Sequence, residues 1–140
     1  MGNTRIPILA VLCLLQGCDL MAGPDTDDQS ATLLTEGGLF MVTFVPLPNP
    51  IPFNQLFELD VRVEDLGGAP ARDADLSVFA SMPFEGHAID SDPIVIERGD
   101  GGFVVQGMRF DRRGPWLLEL WVDDGVNFDR AAVEIECCAE

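Results

Sequence analysis

The chain has 140 residues, enough for one domain, and carries 24 acidic side chains against 8 arginines and no lysine, a net charge of −16. Such a chain repels nucleic acid and anionic lipid surfaces, since both need cationic partners, so nucleic-acid binding is set aside. A hydrophobic fraction of 47% is still ample for a packed core.

Arg5 opens the chain as a positive start, followed by an apolar run over residues 6–15 broken only by Pro7. The run is too short to cross a hydrocarbon layer of about 30 Å and fits the apolar segment of a secretory signal. Leu15-Gln16-Gly17-Cys18 resembles the lipobox of bacterial lipoproteins, with Leu three residues before Cys and a small residue just before it. The resemblance implies a lipoprotein signal peptide over residues 1–17 and lipidation of Cys18. The partner is then a membrane, reached through the N-terminal lipid, and the location is the cell envelope, on its periplasmic or outer face. Each buried lipid CH₂ contributes about 0.8 kcal/mol, and two or more chains make a stable anchor. The alternative is an ordinary signal peptide with incidental cysteines.

Residues 18–36 are acidic and polar, with Gly23, Pro24, Asp25, Asp27, Asp28, Gln29 and Ser30 and no apolar period. They read as a flexible tether with a random-coil span of about 20–25 Å. From residue 37 onward the apolar period is two. Residues 39–45 predict a first strand, and Pro46, Pro48, Pro50 and Pro52 then predict an extended connector or edge, because Pro lacks a ladder donor. In residues 57–64, Phe57, Leu59, Val61 and Val63 alternate with Glu58, Asp60, Arg62 and Glu64, the pattern of a half-buried strand. Residues 75–82 alternate likewise. Residues 94–97 and 103–110 flank Gly99-Asp100-Gly101-Gly102, a hairpin signal. Residues 116–122 alternate again, and Ala131, Val133, Ile135 and Cys137 form a last inward row.

About seven short strands without a helical period predict an all-β, immunoglobulin-like antiparallel β-sandwich over residues 37–140, preceded by the signal peptide and tether.

The series Val63-Glu64-Asp65, Gly68-Ala69-Pro70, Ala74-Asp75-Leu76, Met82-Pro83, Gly86-His87-Ala88, Asp92-Pro93, Gly101-Gly102-Phe103, Val105-Gln106-Gly107-Met108, Phe110 and Gly114-Pro115-Trp116 resembles the YtkA-like domain family. FixH-like proteins share a similar layout, and the resemblance covers about residues 55–135. It implies a small extracytoplasmic β-sandwich, often lipid-anchored, associated with copper handling or with assembly of copper-containing oxidases. The family loop often runs Met-Pro-x-His-Gly-His-Gly. Here Glu85 stands at the first His and Ala88 at the last Gly.

Copper(I) favours thioether, thiolate and imidazole, so Met82, His87 and Met108 are the candidate metal ligands, with copper as the candidate cofactor. Met82 is also in phase with Leu76, Val78 and Ala80, which marks it as core, and His87, the single histidine, also reads as a loop-packing residue. Cys137 and Cys138 form the candidate disulfide. In an oxidising compartment they pair with each other, pair between chains or stay free. Asp90 with Asp92, and Asp123 and Asp124 with Asp129, read as turn formers without a calcium-loop pattern. A chain with one His and no nucleophile elbow, phosphate loop or dinucleotide fingerprint reads as a non-enzyme. Trp116 falls on the core face of its strand, and Trp121 on the opposite face, against loops or as an anchor for an envelope protein partner. The reading is a membrane-anchored binding or accessory module related to copper. The alternative is a structural or protein-interaction module of the envelope without a metal site.

Overall fold

The computed structural model describes residues 28–138. The segment expected to be a signal peptide, the expected lipidation site Cys18 and residues 19–27 lie outside the described residues, as do 139–140.

Among the described residues nine strands follow one another: β1 (Ala31–Leu34), β2 (Phe40–Leu47), β3 (Phe57–Asp65), β4 (Asp75–Met82), β5 (His87–Ala88), β6 (Ile94–Gly99), β7 (Gly102–Met108), β8 (Gly114–Asp123) and β9 (Phe128–Cys137). They form two antiparallel sheets, β1-β2-β3-β7-β6 and β5-β4-β8-β9, packed as a sandwich. The all-β sandwich expected from the alternation is what forms. Each alternating row keeps its phase, because one face of every strand must be removed from water. Leu59, Val61 and Val63 of β3 point inward into one core cluster with Leu118, Leu120 and Val122 of β8, and all six are fully buried. Burying such a side chain stabilises by about 1.5–3 kcal/mol.

Two strands go beyond the expected seven. β5 has only two residues. β1 lies inside the segment expected to be a tether and corrects that reading for residues 31–34. Its four residues pair with β2 from Ala31↔Phe44 to Leu34↔Met41, and Leu33 packs against the core. A strand so short shows too few alternations to be told from a linker, and its partner lies across a turn. β2 also runs past the expected stop, pairing Pro46 with Leu59 and Leu47 with Glu58. β1 has ended by then, at the Ala31↔Phe44 pair, so β2 is an edge strand there, the setting in which Pro is tolerated.

The β6–β7 hairpin forms where the glycines fall. Gly99, Asp100 and Gly101 all take positive φ, and Gly101 donates its place to a close approach: its carbonyl accepts from Val63 N–H at 2.8 Å, and a Cβ there would collide with the Val63 carbonyl oxygen.

One side of the sandwich is closed by β1 and the turn after it, which dock on β9. Glu36 N–H donates to the Arg130 carbonyl at 2.8 Å, and Gln29 Nε2 donates to the Glu136 carbonyl at 2.9 Å. Asp129, only 8% exposed, accepts from Gly37 N–H at 2.9 and 3.1 Å and from Leu39 N–H at 3.4 Å. Burial pushes its pKa up, but the Thr35 hydroxyl and the N–H groups of Gly37, Arg130 and Leu39 outweigh that and hold the carboxyl below its ordinary value.

Candidate functional site

The single histidine sits where β4 turns back. Pro83–Glu85 makes one 3-10 turn, Gly86 takes the left-handed conformation, and the chain returns as β5 with His87 opposite Met82. His87 Nε2 lies 2.8 Å from Asp111 Oδ1. The hydrogen bond from His87 holds the Asp111 carboxyl below its ordinary pKa, with burial opposing. An ionised carboxylate only accepts, so Nε2 carries the proton, and in the neutral ring Nδ1 keeps the free lone pair.

Behind the imidazole runs a line of aromatic rings. His87 meets Trp116 edge-to-face at 5.6 Å, Trp116 stacks on Phe110 at 4.5 Å with planes 6° apart, and Phe110 meets Phe57 edge-to-face at 5.1 Å. The Trp116 indole N–H donates to the Arg112 carbonyl at 2.9 Å. The segment that presents Asp111 is therefore held from both sides by the core. Arg109 pairs with Asp90 and Arg112 with Glu85.

The candidate metal ligands are partly brought together. Met82 and His87 are register partners, whereas Met108 belongs to the other sheet, opposite Phe57. Both thioethers are core groups, Met82 at 2% and Met108 at 0% exposure. The Met82 methyl fills the space beside Gly114, 3.0 Å from where a Cβ would stand. Among the described residues no group of three or more His, Cys, Asp or Glu converges as metal ligands would. What the set offers a soft cation is one imidazole nitrogen beside one thioether. Cys137 faces Gly114 from β9, and its sulfur is in bonding contact with that of Cys138. Arg113 lies over the Phe53 ring at 4.4 Å and donates to the Cys138 carbonyl at 3.4 Å.

A second set of residues stands on the outer face of the four-stranded sheet. Trp121 projects there, half-buried, with Phe128 stacked on it at 5.0 Å and the Arg130 guanidinium 5.4 Å from its ring centre. Phe79 joins them from β4 at 56% exposure, and Phe128 is 65% exposed. Register explains the row. Phe79 is opposite Glu119, Trp121 is opposite Arg130, and Phe128 is opposite Asp123, so the three aromatics run diagonally across β4, β8 and β9. Arg130 pairs with both Glu36 and Glu119, which raises its pKa.

Sequence reasoning singled out Trp121 and missed Phe79 and Phe128. The available signal was an aromatic on the polar side of an alternating strand, Phe79 among Asp75, Ser77 and Ser81. Phe128 follows a turn signal and shows no such contrast.

No family model and no curated protein matches the chain. The crystal structure of a DUF4426 family protein from Pseudomonas aeruginosa PAO1 is similar to it, with a TM-score of 0.53 at 13% identity over 81% of this chain and 99% of that one. At so low an identity the likeness extends to the fold alone.

Proposed function

We propose that this chain is a non-enzymatic binding module of the cell envelope, held to a membrane through a lipid on Cys18 and offering the outer face of its four-stranded sheet to another protein. The observation that carries the reading is the exposed aromatic row of Phe79, Trp121 and Phe128. Aromatic side chains of this size are what interfaces bury at their centres. Two sets of polar groups elsewhere are engaged in the sandwich itself: His87 with Asp111, and Asp129 with the turn after β1. The lipobox-like Leu15-Gln16-Gly17-Cys18 and the resemblance to YtkA-like domains support the envelope location. Mass spectrometry of the mature N-terminus tests the anchor, together with fractionation of Cys18→Ser. The expected outcome is a diacylated Cys18 as first residue and loss of membrane association in the variant; an unmodified residue upstream of Cys18 refutes the anchor.

A copper-related role is the second reading, favoured by the Met82↔His87 pair, which sets a thioether beside an imidazole. Copper(I) titration of wild type, His87→Ala and Met82→Leu tests it. Tight stoichiometric binding lost in both variants supports this role, and absence of binding in wild type sinks it.

A further inference from the structure

We propose that the outer face of the four-stranded sheet docks a cationic polypeptide segment, its arginine or lysine side chains lying over the row of Phe79, Trp121 and Phe128. The proposal rests on the reading of the chain as a binding module and names the chemistry of the partner.

Charge is the first argument. Beside the aromatic row stand the carboxylates of Asp75, Asp123 and Glu119, the last paired with Arg130, and further along β9 those of Glu134 and Glu136, against the single guanidinium of Arg130 on these strands. That guanidinium is already taken by Glu36 and Glu119, so it offers nothing to an incoming anion. A face of this sign attracts cations and repels anionic lipid.

The second argument is local. Asp75 and Asp123 are direct partners across β4 and β8, and neither makes an ion pair among the described residues. Like charges directly opposite each other in a sheet are unfavourable, and a cation arriving from outside relieves them. The third argument is the ring chemistry. Trp121 already accepts the Arg130 guanidinium at 5.4 Å, so its environment is compatible with cation–π contact, and the outer faces of Phe79 and Phe128 are exposed for more of it.

A second copy of the chain is a poor occupant. A two-fold pair would bring this face against itself, acidic rim to acidic rim, in a chain of net charge −16. A basic segment meets both the rim and the rings.

The test uses the full-length chain in nonionic detergent, with fluorescein-labelled nona-arginine as probe and nona-glutamate as control, read by anisotropy. Phe79→Ser with Phe128→Ser is expected to weaken nona-arginine binding roughly tenfold. Asp75→Asn with Asp123→Asn is expected to weaken it severalfold, and added salt to weaken it further. Glu58→Gln with Asp60→Asn, on the outer face of the other sheet, removes the same charge and is expected to change binding less than twofold. Equal weakening by the two charge-removing pairs, or no effect of the two serine substitutions, overturns the proposal. So does self-association abolished by those serines in sedimentation, which would make the face a contact between copies. None of these results bears on the state of Cys18, so failure here and failure of the anchored-module reading are told apart by the mass spectrum.

Discussion

Replacing Asp129 by Ala removes the acceptor that ties the turn after β1 to β9. Gly37 N–H loses bonds of 2.9 and 3.1 Å and Leu39 N–H one of 3.4 Å. A hydrogen bond to a charged acceptor contributes about 1.5–3 kcal/mol when buried, and both donors sit on an exposed turn where water replaces part of that, so a total loss of about 2–3 kcal/mol is expected. For a domain of this size that lowers Tm by roughly 8–12 °C. The effect carries a pH signature. The folded pKa of Asp129 is depressed, so its contribution is fully present above the ordinary carboxylate value of about 4 and is lost as pH falls through the folded pKa. Thermal unfolding of wild type and Asp129→Ala, followed by circular dichroism from pH 7 to pH 2.5, should show two curves that converge only below about pH 4. Equal Tm values at pH 7, or a gap that stays constant down to the lowest pH, would refute the role of the carboxylate as the tie between the sheets.

Other substitutions probe the rest of the frame. Asp111→Asn should cost about 1–2 kcal/mol near neutral pH, and ¹³C NMR of wild type should find the Asp111 carboxyl titrating below its ordinary value. An ordinary pKa there would dissolve the His87–Asp111 pair as described. Trp116→Ala empties a fully buried site stacked on Phe110 and should cost about 3–5 kcal/mol in urea unfolding, whereas Trp121→Ala, half-exposed, should cost about 1 kcal/mol. The reverse order would mean that the two tryptophans exchange faces. Gly101→Ala meets both a positive φ and the Val63 carbonyl oxygen, so a loss of at least about 2 kcal/mol is expected, against a few tenths for an Ala on an open stretch of the surface.

Much of the sandwich was legible because alternation is a local property. The faces of β3, β4, β8 and β9 follow from which of two neighbouring side chains is apolar, and the hairpin before β7 follows from three consecutive residues suited to positive φ. Met82 likewise took the core position that its phase implied. Tertiary structure alone decided the pairings whose members are remote in sequence. β1 is a strand because β2 turns back on it, and Glu36 and Gly37 meet β9 some 90 residues later. His87 found Asp111 at a separation of 24 residues. The aromatic row needs the register of three strands to bring Phe79, Trp121 and Phe128 onto one diagonal, and no pattern within any one strand encodes that register. The sequence by itself therefore determined which residues turn inward. Which outward residues stand together, and hence what the molecule presents to a partner, was decided by strand pairing, because a hydrogen-bonded ladder joins segments irrespective of the chain length between them.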